Sequence, residues 1–479
     1  LSDAGVESDL CFRVQAWTRK SSTRHLISGW PIWRSWWKVK AVSDRVISAD
    51  LVVIGSGLAG TAAALAARDK GLEVCLIASD RGASAMSSGA LDLCGDPCSV
   101  PGHPEGTNRE FSHNLRALLL RNPDHPFHLL SESEDSHAGI IALFEKALSA
   151  IFNTQAYSMI SGSTERPLPF LTNLGTFKFS AFAQRLTAIL DDPLLARPLA
   201  IGFFESADFD PHYWLKAAKA NAEMIGVSIE PAGAVTARLE MGSEMSSLEM
   251  AKRLEGKRDA EVFVDRIARV KGRFTDASAA VIPAVLPFSR RDQILEDLKE
   301  KTGLTFLEIL SLPPSVPGQR LSEWMAKRLE KESVIRVLGK VCGYRAEGKK
   351  ILSLDVESSR QIKVEGSGFI LASGSFLGGG LKKDSRFRET IFDLPVFCDN
   401  RILRETFAEK LTGVSIRGPH PLFGVGIKAD RELRPIGLDR EPLFENLRVA
   451  GSILAGSNYL VDGTGAAVAL ATGFHAGSL

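Results

Sequence analysis

The chain has 479 residues, 44% hydrophobic and 24% charged, the composition of a globular protein with room for two or three packed units of roughly 100–200 residues each. With 58 Lys+Arg against 57 Asp+Glu the net charge is +1, which argues against a polyanion partner and against nucleic acid. Six cysteines without a CxxC pair do not make a disulfide framework or the usual zinc and iron–sulfur sets; Cys94 and Cys98 in CGDPC read as free thiols, and no metal site is expected.

Residues 1–46 carry Trp30, Trp33, Trp36 and Trp37 in WPIWRSWWKVK and read as an N-terminal extension with no fold of its own, with contact at a membrane interface as the alternative. No apolar run approaches the roughly 20 residues that span a bilayer; the longest, 277–288 (ASAAVIPAVLPF), reads as buried strand. The first strongly patterned stretch is 49–54 (ADLVVI), a continuous apolar run that predicts a buried strand. GSGLAG follows, then an Ala-rich helix over 61–70, Gly71 as its stop, and a second strand over 74–78 (VCLIA). Together these form the strand, glycine loop, helix and strand that open a doubly wound sheet. From about 100 to 330 the pattern is mixed, with helical spacing at 142–151, 182–190 and the charged 240–261, and strands near 199–204 and 279–285. A helix over 321–331, alternating strands between 334 and 364, and a strand ending in a small-residue turn at 369–376 (FILASGSF) come next. The chain closes on 446–456 (NLRVAGSILAG) and a glycine-rich stretch, 462–476, that opens a helix.

Gly55-Ser56-Gly57-Leu58-Ala59-Gly60 is G-x-G-x-x-G directly after a strand and opening a helix, the context that gives the motif its meaning. Gly55 permits the tight turn, Gly57 lets the backbone approach a phosphate, and Gly60 lets helix and strand pack closely. The free N–H groups and positive dipole end of the helix then face the phosphate. The acidic residue that normally ends the second strand, about 20 residues on, and bonds an adenosine ribose is missing. Its place is held by Ala78 and Ser79, with Asp80 two residues late, so either adenosine is held without that carboxylate or there is none, as in FMN. Ser87, Ser88 and Gly89 offer donors just after the second strand. Ala372-Ser373-Gly374 forms an A-S-G turn near the nucleotide, and Gly451, Ser452 and then Gly463-Thr464-Gly465 bring backbone N–H groups toward a flavin. Finding these pieces in this order predicts an α/β protein with a Rossmann-like, doubly wound flavin-binding domain in two discontinuous parts (47–110 and 320–479) around an inserted α+β cap domain (111–319).

The stretches SSGALDL, HPFHLL, LPPSVPGQRL, FILASGSFLGGGL, FGVGIKADRELRP and NLRVAGSILAG, in this order, resemble the B subunit of anaerobic glycerol-3-phosphate dehydrogenase, a flavin-dependent oxidoreductase of the wider fumarate reductase flavoprotein-like group. The resemblance runs from about residue 49 to the end and is thin between about 100 and 300. It implies an assembly of three different chains that oxidises sn-glycerol 3-phosphate to dihydroxyacetone phosphate and passes electrons to quinone. The A subunit would hold FAD and substrate, and the C subunit would hold iron–sulfur clusters and the membrane attachment. This chain would then hold FMN, with FAD as the alternative, and sit in the cytoplasm on the inner face of the membrane through its partners.

Because a flavin carries the electron chemistry, the protein's part is position and charge. Arg434 in DRELRP is the leading candidate to clamp an anion or stabilise a reduced flavin, against a surface ion pair with Asp430. Arg320 and Arg388 are weaker candidates. His420 in GPHPLFG could act as acid or base, against a structural place in its proline-flanked loop. His125 and His128, three apart, make no metal signature. The competing readings are a free-standing FAD oxidoreductase and a non-catalytic assembly subunit.

Overall fold

The structure, a computed structural model, describes residues 46–95, 110–130, 136–152, 159–206, 208–403, 407–415 and 420–479. Residues 1–45, with Trp30, Trp33, Trp36 and Trp37, and Cys98 lie outside the described residues.

The sequence VISADLVVI forms β1 (Val46–Ile54), alternately exposed and buried at first and buried throughout its last four residues. That change follows its neighbours. The end of β1 is flanked on both sides in the sheet, by β2 (Val74–Ala78) and by a long strand from the second half of the chain, each parallel to it. Between β1 and β2 runs α1 (Leu58–Asp69), starting three residues earlier than the alanine pattern suggests.

After the helices α2 (Phe111–Arg121) and α3 (Ser136–Phe152) the chain leaves this sheet. Two antiparallel pairs follow: β3 (Ile160–Gly162) with β6 (Phe182–Gln184), and β4 (Leu168–Leu171) with β5 (Phe177–Ser180). The helix predicted over 182–190 is therefore absent. Phe182–Gln184 pairs with β3 as a strand, Phe182 bridges to Leu91, and Leu186 at φ +62° turns the chain out of any helical path.

A second sheet, all parallel, has the order β10-β9-β7-β8, built from Thr305–Glu308, Ala279–Ile282, Pro198–Phe203 and Gly233–Ala237. Its strands are apolar on both faces because both are covered. Leu199, Ile201 and Phe203 pack with Phe263 of α6 (Lys257–Lys271), while Ala200 packs with Trp214 of α4 (Pro211–Met224). The charged segment 240–261, expected as one solvated helix, is divided. Its first helix is α5 (Ser247–Arg253), Gly256 precedes α6, and Met250, Ala251 and Leu254 are buried. The insert therefore mixes antiparallel pairs with a covered parallel sheet, which α7 (Arg291–Thr302) completes.

The chain returns through α8 (Val316–Lys331), capped by the Ser315 hydroxyl, which accepts from the Gly318 amide at 3.0 Å. Strands β11 (Ile335–Leu338), β12 (Lys340–Glu347), β13 (Lys350–Glu357) and β14 (Gln361–Leu371) complete the first sheet in the order β11-β2-β1-β14-β13-β12. The short strand Leu447–Val449 adds to the end of β14. The last helix, α9 (Gly465–Ser478), lies against α1 at backbone distance: a Cβ on Gly473 would stand 2.3 Å from the Ala59 oxygen, and one on Gly477 2.1 Å from the Ala63 oxygen. Alanines on one helix and glycines on the other make this contact possible.

Candidate functional site

From β1 the chain proceeds through α1 to β2 on one side, whereas β14 on the other side arrives only after the insert. Such a reversal opens a crevice at the carboxyl ends of the strands. A cavity of about 270 Å³ occupies it. Its walls are the GSGLAG loop, the end of β2 with the turn beyond it, Gly339–Val341, the A-S-G turn after β14, and Gly451 with Ser452.

The three glycines of the loop have different tasks. Gly55 has φ +117°, and a Cβ there would stand 2.2 Å from the Ala372 oxygen, so the two strand ends meet only if this residue is glycine. On Gly60 a Cβ would be 1.9 Å from the Gly55 oxygen, so this residue seats α1 on β1. Gly57 is the N-cap of α1 and has no side chain to occupy the amides; the nearest obstacle to a Cβ is the Ser84 hydroxyl at 3.2 Å. The first amide of α1, that of Leu58, is taken by the Ser84 hydroxyl, and Leu58 and Ala59 line the cavity beside Gly57. Ser56, also in the wall, donates its hydroxyl to the Asp80 carbonyl at 2.8 Å.

Ala78 does end β2, but Ser79 and Asp80 continue along the cavity wall. The Asp80 carboxylate accepts from the Gly82 amide at 2.6 Å. Asp80 thus lies in the cavity wall, two residues later than the pattern places an acidic residue.

Three groups at the site escaped the sequence pattern. Lys340 and Lys382 line the cavity, and among the described residues neither ammonium has a carboxylate partner. They come from the start of β12 and from the hairpin after β14, and only tertiary pairing, such as the Gly339 amide on the Ala78 carbonyl at 3.0 Å, brings Lys340 there. The third is Ser84, whose hydroxyl accepts from the Leu58 amide at 3.1 Å and so keeps its own proton available. Within the A-S-G turn, Gly374 has φ +75° and the Ser373 hydroxyl is buried with no partner. The N-terminus of α1 with Ser84 on its first amide, two ammonium groups and an orphaned hydroxyl around one cavity fit a ligand carrying phosphate.

Other predicted residues lie elsewhere. Ser87, Ser88 and Gly89 pack on the first turn of α8: a Cβ on Gly89 would be 2.4 Å from Pro317 Cβ, and one on Gly318 2.5 Å from the Ser87 oxygen. Gly463, Thr464 and Gly465 begin α9 outside the cavity lining, although Ala469 of the same helix belongs to it. Gly463 rests against Gly95, the Ala467 amide donates to the Asp92 carbonyl at 2.9 Å, and Thr464 is buried between His125 and Ser457. His125 accepts the Phe127 amide on Nδ1, and burial, with His128 and Arg121 nearby, pushes its pKa down to about 3. The ring is thus neutral, with its proton on Nε2, 3.4 Å from the Thr464 hydroxyl. His128 Nε2 lies 3.2 Å from the Leu119 carbonyl.

Arg434 is bound to Asp430 through Nε at 2.8 Å and to Glu432 at 3.3 Å, and does not line the cavity. His420 accepts from the Gly413 amide at 3.0 Å and packs edge-on to Phe423, also away from it. Arg388 pairs with Asp384 at 2.8 Å. Arg320 is fully buried, donating to both oxygens of Glu308 at 2.6 and 2.8 Å and to Gln184 at 2.7 Å, while Arg291 reaches the same carboxylate at 2.6 Å. Burial pushes the Glu308 carboxyl up, but the two guanidinium groups prevail and hold it below the usual range. Cys94 is buried, and no cluster of metal-ligating side chains exists among the described residues.

The FAD binding domain family matches residues 50–132, which contain the glycine loop, β2 and the turn after it. The anaerobic glycerol-3-phosphate dehydrogenase B subunit from Vibrio cholerae is 25% identical over 436 residues, covering 89% of this chain and 95% of that one. Its counterpart from Mannheimia succiniciproducens is 27% identical over 442 residues, covering 88% and 96%. This chain resembles those B subunits along nearly its whole length. Kinship and architecture together support a flavin-dependent oxidoreductase with a flavin as cofactor, on a Rossmann-like α/β fold with an insert. Among solved structures, 3-ketosteroid delta1-dehydrogenase from Sterolibacterium denitrificans aligns over 90% of this chain and 98% of its own, with 12% identity and a TM-score of 0.40. No described helix is long and apolar enough to cross a membrane.

Proposed function

We propose that this chain is the flavin-holding B subunit of a glycerol-3-phosphate dehydrogenase complex that oxidises sn-glycerol 3-phosphate to dihydroxyacetone phosphate and delivers electrons to quinone. Its partners in this reading are an FAD-containing A subunit together with an iron–sulfur C subunit, through which it meets the inner face of the membrane. The observation that carries the proposal is the crevice itself: a glycine loop opening a helix at the strand reversal, in a chain related along nearly its whole length to B subunits.

The cavity favours FAD over FMN. It runs past the glycine loop to Asp80 and to Gly339–Val341, the side of the crevice on which the adenosine of a dinucleotide would lie. In this reading the amides of α1 that follow Leu58 hold the phosphates with Ser84, Lys340 and Lys382 offset their charge, and Ser373 donates its unpaired hydroxyl proton. The flavin, when bound, supplies the capacity to accept and pass on electrons. Among the described residues, no arginine or histidine lines the cavity, which favours electron relay here and substrate binding in the A subunit.

The test is chromatographic identification of the flavin released by acid from purified protein, with FAD expected. FMN would overturn the dinucleotide reading, and a folded but colourless protein that takes up neither flavin would remove the site. The isolated chain should oxidise glycerol 3-phosphate with dye acceptors only slowly; rapid turnover would point instead to a self-sufficient enzyme.

A further inference from the structure

We propose that Gln319 is a positioning residue that holds Ser84 on the Leu58 amide and thereby links the insert to the phosphate end of the cofactor site. The Gln319 side chain is a two-ended clamp: its oxygen accepts from Arg81 Nη1 at 2.7 Å and its nitrogen donates to the Ala85 carbonyl at 3.1 Å. These contacts grip either side of the turn 82–84, which lies over the first turn of α1 with Ser84 Oγ 3.1 Å from the Leu58 amide. Arg81 also feels the carboxylate of Glu323, one turn further along α8.

Behind Gln319 the connection to the insert is buried and rigid. Gln184 of β6 donates to the Pro317 carbonyl at 2.6 Å, and the adjacent Arg320 is locked to Glu308 at the end of β10. No slack exists in front either, since a Cβ on Gly318 would be 2.6 Å from the Ala85 oxygen. Any shift of the insert therefore carries α8 with it and is transmitted to the turn that carries Ser84. Because Ser84 accepts from the amide, its own proton is directed to whatever occupies the cavity. Flavin affinity and docking of the insert then become linked quantities, each raising the other.

This inference rests on the reading of the glycine loop as a flavin phosphate site, and the test separates the two. First, hydrogen exchange on the full chain without added flavin should show faster exchange at the Leu58 amide and across 81–87 in Gln319→Leu, with unchanged protection in β1. Unchanged exchange at Leu58 would overturn the clamp whether or not flavin binds. Second, FAD dissociation should be measured for Ser84→Ala, Gln319→Leu and the double variant. Each single change is expected to weaken binding about tenfold, and the double no more than about tenfold, because the clamp acts only through the hydroxyl. A double variant weakened about a hundredfold would mean independent effects and would refute the link. Gln319→Glu, which retains the Arg81 bond, should recover part of the loss; equal loss in both variants would count against the clamp. If the unaltered protein takes up no flavin, the phosphate-site reading fails while the exchange result still decides the role of Gln319.

Discussion

The carbonyl oxygen of Ala372 lies 2.2 Å from the place a Cβ would occupy on Gly55. One residue follows β1 and the other begins the turn after β14, so the two halves of the chain touch at a point that admits no side chain. Gly55→Ala would force a Cβ into a backbone oxygen at φ +117°, and is expected to cost at least about 3 kcal/mol. Urea unfolding measures it; a loss below about 0.5 kcal/mol, the scale of an ordinary surface change, would show the contact to be readily relieved.

Gly57 should behave in the opposite way. Its φ of −73° suits any residue, it is the N-cap of α1, and only the Ser84 hydroxyl is near. Aspartate is a preferred N-cap, so Gly57→Asp should fold with unchanged or slightly raised stability, within about 1 kcal/mol. Its carboxylate would nevertheless stand where a phosphate approaches. Loss of flavin with an intact melting curve is the expected pair of results, and full flavin occupancy would refute the placement of phosphate at this loop.

That contrast also shows which parts of the site are legible in the sequence. GSGLAG can be read because strand, turn and helix are contiguous, so the reason for each glycine is local. FILASGSF and NLRVAGSILAG can be read because a strand ending in small residues announces a close approach, and Gly374 and Gly451 both have positive φ. Lys340, Lys382 and Ser84 cannot: Lys340 and Ser84 are brought to the cavity by bonds to other segments, and the local hairpin that carries Lys382 does not announce what it lies beside. Ser87–Gly89 shows the converse. Small residues suited to a cofactor are equally suited to admitting a helix, and here they admit α8. The same ambiguity explains 182–190, where a short apolar run fits a helix or a strand until β3 is beside it. Arg434 illustrates a further limit, because its carboxylate partners are visible in DRELRP while its distance from the cavity is not.

Glu308 joins Arg291, Arg320 and the insert in one buried cluster, with side-chain exposures of 3%, 6% and 1%. Removing one member leaves the others charged and unpaired, which costs far more than the pair itself contributes. Glu308→Ala should therefore destabilise the protein by about 3–5 kcal/mol, measured by urea unfolding at neutral pH. A change under about 1 kcal/mol would mean that water reaches the cluster in the variant.

Lys340 and Lys382 are exposed, so their attraction for phosphate is screened by water and salt. Lys340→Ala and Lys382→Ala should each weaken flavin binding only about two- to fivefold, the range of an exposed ion pair. The salt dependence of flavin dissociation should become shallower in each variant, read by recovery of flavin fluorescence on release. Undiminished salt dependence in both would remove these lysines from the site.

His125 gives the stability a pH dependence with a definite sign. Its folded pKa of about 3 lies below its ordinary value of 6.5, so below pH 6.5 the unfolded chain binds a proton that the folded chain refuses. Stability from this residue is complete above 6.5 and falls as pH drops, until the folded ring itself protonates near 3. Between pH 7.5 and 5.5 the loss should be about 1.4 kcal/mol, one unit of the shift. Glu308 acts in a separate window: its folded carboxyl titrates below the ordinary 4.5, so its contribution holds above that value and is lost only in stronger acid. His475, whose pKa burial also lowers, adds a change of the same sign in this window, so His125→Gln should diminish the change between 7.5 and 5.5 while leaving the later acid transition in place. If the slope is undiminished in the variant, the neutral, buried ring beneath Thr464 is not its source.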